Sequence, residues 1–465
     1  MKIKFLGAAK NVTGSRFLLE NNGKYILIDC GLYQERKFRS RNWEEFPIDP
    51  GNIECVLLTH AHIDHCGYLP KLVREGYRGK IYCTPPTAEI AKIALLDSAH
   101  LQESDIEYKR KRHRKKRTSS PYPEIPLYTV RDAEKAISLF EPISYKKEFA
   151  VTKDLRAIFY DAGHILGSAM IELRKDSGSN REIYIFSGDI GRWNRPILKD
   201  PTLFEKADHV FMESTYGNRI HENESTALEK IQKVILETHK AGGNIIIPSF
   251  AIERAQELIY SLGILLRQKK IPQLTVFVDS PMAINVTEVF KKYSSYFDKE
   301  AQTHLNNSYS LFSFPLLKTT PTANDSKNIN SAKRTSVVMA GSGMCTGGRI
   351  KYHLINNISR KESTILFVGY QAEGTLGREI LEKPAKVRIL GDNYPVYARI
   401  EKINGFSAHA DKNELMRWIS NFKKKPKKIF VLHGEENAVV EFSQTLKSNL
   451  SSEIITPEYK EEYLI

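Results

Sequence analysis

His60-Ala-His62-Ile-Asp64-His65 places three histidines and an aspartate within six residues, directly after the apolar run Cys55-Val-Leu-Leu-Thr59. Imidazole nitrogen and carboxylate oxygen are the donors preferred by borderline metals such as zinc. The spacing is not that of His-Glu-x-x-His, which puts two ligands on one face of a helix. Donors at i, i+2, i+4 and i+5 suit an irregular loop at the end of a strand, where alternate residues line different sides of a small cavity. On that reading His60 and His62 serve one metal ion, and Asp64 and His65 serve a second. The rival reading is a polar loop whose histidines are incidental.

Around this loop the first half of the chain reads as short strands separated by turns. Strands are expected at 2–6, 15–20 and 24–29, with Asn21-Asn-Gly23 as a hairpin turn, and a buried strand at 54–59 runs into the histidine loop. A helix at 67–75, a strand at 80–83 and a helix at 87–99 follow, then strands at 157–160, 169–174 and 183–187. From about residue 215 the rhythm becomes strand–helix–strand: a helix at 226–240, a strand at 244–248, a helix at 251–267 and a strand at 274–278. That alternation is typical of a parallel sheet with helical crossovers. Residues 306–331 are rich in Asn, Ser, Thr and Pro and read as an extended connection. Strands at 335–340 and 364–370, a helix at 412–422 and a strand at 428–432 complete a layered α/β reading.

Composition bounds the function class. The chain has 465 residues, 41% hydrophobic and 27% charged, and no stretch approaches the ~20 apolar residues that cross a bilayer. Five scattered cysteines, without a Cys-x-x-Cys pair, argue for reduced thiols, a cytoplasmic protein and no zinc ribbon. A net charge of +14 attracts polyanions, nucleic acid among them. Lys109-Arg-Lys-Arg-His-Arg-Lys-Lys-Arg117 would repel itself as a helix, so an exposed arm is expected; it either contacts RNA or is a solvated insertion.

Further metal-binding residue types stand at strand ends. His164 lies in Asp161-Ala-Gly-His-Ile-Leu-Gly-Ser168, Asp189 in Phe186-Ser-Gly-Asp-Ile-Gly191, Asp29 in Ile-Asp-Cys-Gly31 and His433 in Leu-His-Gly-Glu435. Each alone is more often a turn residue. Together with the 60–65 loop they match the ligand count of a two-metal site.

The order Asp29, His60-x-His62-x-Asp64-His65, His164, Asp189 resembles the metallo-β-lactamase superfamily. Glu213 in Phe-Met-Glu-Ser-Thr-Tyr-Gly217, His409 in Phe-Ser-Ala-His-Ala-Asp411, and His433 resemble motifs A, B and C of the β-CASP nucleases, the branch that includes the nuclease subunit of the cleavage and polyadenylation complex. A stand-alone prokaryotic form fits this length. The resemblance implies an αββα sandwich built from residues 1–215 and 401–465, with a parallel-sheet β-CASP domain, 216–400, inserted between them. It also implies two zinc ions per subunit: His60, His62 and His164 on one, Asp64, His65 and His433 on the other, Asp189 bridging, and Asp29 supporting the ligand loop from behind.

The activity implied is a ribonuclease, endonucleolytic with 5′-exonuclease action also open, that uses a two-metal hydroxide mechanism in RNA processing or decay. Asp64, Glu213 and His409 are the candidate catalytic residues, with His409 as general acid oriented by Glu213; the rival reading of Glu213 is a turn cap. Single-stranded RNA would be the partner, with no membrane and with dimerisation open. In Pro248-Ser-Phe-Ala-Ile-Glu-Arg254, Ser249 and Arg254 are candidate phosphate contacts. So are Ser342, Gly343, Thr346, Gly347 and Arg349 in the glycine-rich run 341–349, and Arg378 beyond it, because glycines let backbone amides approach an anion. The alternatives are a DNA nuclease of the Artemis type, whose motif C position resembles valine where this chain has His433, and a catalytically silent RNA-binding scaffold, which would have lost ligands.

Overall fold

Phe17–Asn21 pairs antiparallel with Lys24–Ile28 around Asn22 (φ 51°) and Gly23 (φ 75°), the left-handed pair that a two-residue hairpin turn requires. This hairpin lies in the computed structural model, which describes residues 1–116, 118–119, 123–178, 180–221, 224–306, 310–332, 334–372, 374–403 and 405–465. The chain divides into two compact units, Met1–Ile220 with His409–Ile465, and His221–Ala408.

The first unit contains two seven-stranded sheets. One runs in the order Glu462–Leu464, Lys2–Phe5, Phe17–Asn21, Lys24–Ile28, Ile53–Leu57, Lys80–Cys83, Phe140–Pro142. The other runs Glu453–Ile455, Lys428–Leu432, His209–Glu213, Asn180–Phe186, Ala169–Ser177, Leu155–Asp161, Phe149–Ala150. Alternating apolar residues explain why the two sheets share a core: Phe5, Phe17, Ile28 and Leu57 from one meet Phe159, Ile171, Phe186 and Phe430 from the other. Phe186, Phe211 and Phe430 stack across adjacent strands at centroid separations of 4.2 and 4.7 Å.

Helices cover both outer faces. Ile185, Val210, Met212 and Val431 pack with Leu415 and Trp418 of the helix Lys412–Ser420 and with Val439 and Phe442 of Glu436–Asn449. The first of these helices starts on a capping box: Asp411 accepts from the amides of Asn413 and Glu414, and Glu414 accepts from the amide of Asp411. Leu69–Arg74, Pro85–Lys116 and Val130–Ile137 pack together beside the first sheet. The unit is the expected αββα sandwich.

The second unit is built on a six-stranded sheet, parallel throughout, in the order Leu317–Thr319, Thr275–Asp279, Ser336–Gly341, Ile245–Ser249, Thr364–Phe367, Arg399–Lys402. Its central strands are buried along their length, which is why Ile245-Ile-Ile reads as a continuous apolar run.

Two sequence expectations are corrected. Residues 109–116 continue the helix Pro85–Lys116 instead of leaving as an arm, and Arg117 lies outside the described residues. Screening by water weakens the repulsion among exposed side chains, and the negative end of the helix dipole favours cations there. Glu107 pairs with Lys111 at 2.5 Å, and Glu124 accepts from Arg110 and pairs with His113. The polar connection 306–331 is likewise structured where it is described. Leu317–Thr319 joins the sheet, and Thr322 and Asp325 form a capping box that opens the helix Ala323–Asn328. No helix among the described residues is long and apolar enough to cross a membrane.

Candidate active site

All candidate ligands belong to the first unit and follow the C-terminal ends of strands, although Asp64 and His65, expected on an irregular loop, stand on the one-turn helix Ile63–Cys66. His60 and His62 follow Ile53–Leu57, His164 follows Leu155–Asp161, Asp189 follows Asn180–Phe186, and His433 follows Lys428–Leu432. Leu155–Asp161, Asn180–Phe186 and Lys428–Leu432 run in one direction within their sheet, so the residues that follow them gather at one edge of it. Close packing of the loops depends on glycine. A Cβ on Gly31 would lie 1.5 Å from the Asp64 carbonyl oxygen, and one on Gly191 would lie 1.9 Å from that of Gly163. Asp29 (φ 57°) and His433 (φ 48°) hold left-handed backbone, a strain of ~1–3 kcal/mol each that the surrounding hydrogen bonds maintain.

The donors converge in two groups. In the first, His60 Nε2 lies 3.1 Å from His62 Nδ1, His164 Nε2 lies 3.3 Å from the same atom, and both Nε2 atoms stand 3.4 Å from Asp189 Oδ2. In the second, His65 Nε2 and His433 Nε2 are 2.9 Å apart, with Asp64 Oδ2 at 3.9 and 3.6 Å and Asp189 Oδ1 at 3.4 Å from His65. Donors bound tetrahedrally at ~2.0–2.1 Å from one ion lie ~3.3–3.4 Å from each other. The first group has that spacing. Facing imidazole nitrogens repel unless a proton or a cation lies between them, and Asp189 Oδ1 is buried without a hydrogen-bond donor. The donor set therefore fits a metal cofactor, with Asp189 Oδ2 in the first group and Asp189 Oδ1 3.4 Å from His65 and 3.5 Å from His433 Nδ1 beside the second.

The electrostatics divide the histidines. Burial pushes His60 and His164 down, and burial together with His60 pushes His62 to about 3, which leaves all three neutral as ligands must be. Burial also acts against charge on His65 and His433. Asp189, with Asp29 beside His65 and Asp64 beside His433, outweighs it and raises both. Burial opposes ionisation of Asp189 too, but His433, His65 and His60 hold its carboxyl well below the usual range.

Glu213 and His409 meet beside this cluster. His409 Nδ1 lies 3.2 Å from each Glu213 oxygen and 3.8 Å from Asp189 Oδ2. Burial disfavours the imidazolium, yet Glu213 and Asp189 outweigh it and raise His409 to about 9. Glu213 is itself fixed by the amides of Ile190, at 2.6 Å, and Thr215, at 3.3 Å. The turn-cap reading of Glu213 is thus part of the geometry, and the same carboxylate reaches His409.

Asp29 sits behind the ligand loop. Its carboxylate accepts from the Thr59 amide at 2.8 Å and the Thr59 hydroxyl at 2.9 Å, and it lies 2.7 Å from His65 Nδ1. Sequence reasoning passed over Thr59, whose hydroxyl also stands 3.0 Å from His60 Nδ1, and Thr215, whose hydroxyl is 3.1 Å from His433 Nδ1. Adjacency to His60 and Glu213 was the available signal.

The phosphate-contact candidates all lie in the second unit. Ser342, Gly343, Thr346 and Gly347 form the loop between Ser336–Gly341 and the helix Ile350–Asn357, as their glycine content led us to expect. The Gly347 amide donates to Ser342 Oγ at 3.2 Å. Arg378 stands on the exposed helix Leu376–Leu381 and pairs with Glu382 at 2.9 Å. Three candidates face inward. Ser249 and Arg254 are buried, Arg254 pairs with Glu257, and Arg349 donates to Asp279 Oδ1 (2.7 Å) and to the carbonyls of Thr320 (2.6 Å) and Pro321 (2.9 Å). As placed, Arg254 serves an internal carboxylate, because a buried guanidinium needs a partner, and the partly exposed Arg349 pairs with the buried Asp279.

Residues 18–194 match the metallo-beta-lactamase superfamily domain, 255–380 the Beta-Casp domain, and 393–457 the Zn-dependent metallo-hydrolase RNA specificity domain. Ribonuclease TTHA0252 of Thermus thermophilus is 36% identical over 446 residues, 96% of each chain. An RNase J-like protein of Methanocaldococcus jannaschii is 30% identical and covers 98% of this chain and 97% of its own length. Transcription termination factor FttA of the same organism is also 30% identical, over 98% of this chain and 70% of that one.

Proposed function

This chain belongs to the β-CASP branch of the metallo-β-lactamase superfamily, and from that premise we propose that it is a ribonuclease that hydrolyses phosphodiester bonds of single-stranded RNA with two zinc ions. The observation that carries the reading is the pair of donor groups on either side of Asp189, the first at the spacing that a tetrahedral ion requires, with the Glu213–His409 pair beside them. His60, His62 and His164 would hold one ion, Asp64, His65 and His433 the other, and Asp189 both. When bound, such ions lower the pKa of a coordinated water to roughly 7 and neutralise charge on the phosphoryl oxygens.

The chain's own residues supply the rest. Glu213 holds Nδ1 of His409 and favours the protonated ring. Across the ring, Nε2 is the atom that passes a proton to the departing 3′-oxygen. Products with 5′-phosphate and 3′-hydroxyl ends follow. Asp29 and Thr59 orient the ligand loop through His65 and His60. In the second unit, the backbone of Ser342, Gly343, Thr346 and Gly347, with Arg378, would receive RNA phosphates. Arg349 and Arg254 would shape that surface from within.

The direct test is cleavage of matched, end-labelled single-stranded RNA and DNA by the purified chain. Faster cleavage of RNA is expected, since the matched RNA specificity domain and the ribonuclease relative point the same way. Preferential cleavage of DNA would replace this reading with the DNA nuclease, and no cleavage of either would favour the scaffold.

A further inference from the structure

The helix Pro85–Lys116 changes character along its length. Ile90, Ala91, Ala94, Leu95 and Ala99 are buried, whereas residues 109–112, 114 and 115 are exposed. It is nevertheless held in place. Gln102 accepts from the Leu127 amide at 3.1 Å, Glu103 accepts from the Val130 amide at 3.1 Å, and farther along Glu124 engages Arg110 and His113. The result is a braced prong with a basic end.

At 3.6 residues per turn, Arg114, Lys111, Lys115, Arg112 and Lys109 follow one another around about 220° of the helix, with no gap wider than about 60°. Among the described residues, Glu124 takes up the sector of Arg110 and His113. Lys111 pairs with Glu107, but both side chains are exposed and such a pair opens readily. Leu101 and Tyr108 are exposed farther back on the helix, but residues 109–115 carry no apolar side chain with which to lie on a membrane or on another protein's core. Acids Asp105 and Glu107 stand one turn back, so the terminal turns are uniformly cationic.

We propose that these turns form a second RNA-binding site, which lies along the mouth of a groove in double-helical RNA and reaches the phosphates on both of its lips. A single strand offers phosphates on one side, and a flat surface would engage far less than 220° of charge. A-form RNA has a deep, narrow groove with a row of phosphates on each lip, which matches cations on both flanks of one helix. Recognition would be independent of sequence and dependent on salt. The inference rests on the ribonuclease reading only in taking RNA as the polyanion.

The test uses the full chain carrying His409→Ala, so that binding is read without turnover, while cleavage by the parent chain is scored separately. Failure of the ribonuclease reading and failure of this site then give different results. Binding of a labelled RNA hairpin and a labelled oligouridine is titrated at several salt concentrations, with and without the combined changes Lys111→Ser, Arg112→Ser, Arg114→Ser and Lys115→Ser. Hairpin affinity should fall about tenfold or more, and its salt slope should drop by up to about 3.6, at about 0.9 for each of four duplex phosphates no longer neutralised. Oligouridine affinity should change by less than about threefold. Arg112→Lys with Arg114→Lys should keep the hairpin slope and shows that charge at a folded helix carries the effect. Unchanged hairpin binding, equal losses on both RNAs, or binding to phosphatidylserine vesicles in preference to the hairpin would each overturn the proposal.

Discussion

Asp29 contributes no atom to the two donor groups, yet Thr59, Ser15 and His65 all converge on its carboxylate. Such a partner fixes the orientation of a ligating imidazole, so Asp29→Ala is expected to weaken metal affinity ~10–100-fold in a chelator competition. His433→Ala should lower the metal content measured by mass spectrometry, and an unchanged content would remove His433 from the ligand set. His409→Ala should keep that content and lose ~10²–10⁴-fold in hydrolysis, the scale of a general acid's contribution. Full activity with metal in place would exclude His409 from proton transfer. The histidines and aspartates were legible in the sequence because few other environments place so many imidazoles at strand ends. Thr59 and Ser15 were not, since a hydroxyl that supports a ligand has the same local signature as one that caps a turn.

Between a strand and a helix of the second unit lies a buried carboxylate that the sequence did not reveal. Asp279 ends Thr275–Asp279, and it meets His353 Nε2 at 2.6 Å, Ser326 Oγ at 2.6 Å, Thr320 Oγ1 at 2.8 Å and Arg349 at 2.7 Å. Burial works against the charge, but His353 and these other donors outweigh it and bring the carboxyl from 3.8 to about 2. A depressed folded pKa stabilises above the unfolded value and loses that contribution as the proton returns. Asp279 should therefore contribute fully above about pH 4, and the contribution should fade as pH drops through about 2. Asp279→Asn should cost ~3 kcal/mol in denaturant unfolding at neutral pH by breaking a buried ion pair, and should flatten this acid dependence. The same elements show where pattern reading stops. Periodicity located the strands and most helices, but the partners of Asp279 are dispersed over residues 320–353 and only folding brings them together. Residues 109–116 stay helical despite their charge because Glu107, Glu124 and the helix dipole offset it, and Glu124 lies outside the basic run where its sequence gives no sign of the contact.

At the scale of the molecule, the first unit is assembled from both ends of the chain. Lys2–Phe5 pairs antiparallel with Glu462–Leu464, and Tyr463 packs against Phe5 and Phe430 at centroid separations of 6.0 and 5.4 Å. No local periodicity announces such closure; it entered the sequence reading through the order of the ligand motifs alone. The C-terminal strands, three residues each, are too short to show an alternation, whereas the helix Glu436–Asn449 does carry a helical period in Ala438, Val439, Phe442 and Leu446 that sequence reading overlooked. The interrupted sandwich makes chemical sense, because His433 from the late segment completes donors supplied by the early one. The central claim, metal-dependent hydrolysis of RNA at this cluster, is tested most directly with 5′- and 3′-labelled single-stranded RNA. The parent chain is assayed as purified, after chelation, and after zinc is restored. Cleavage that disappears on chelation, returns with zinc and leaves 5′-phosphate and 3′-hydroxyl ends is the expected result. Cleavage that persists in the chelated protein would contradict it.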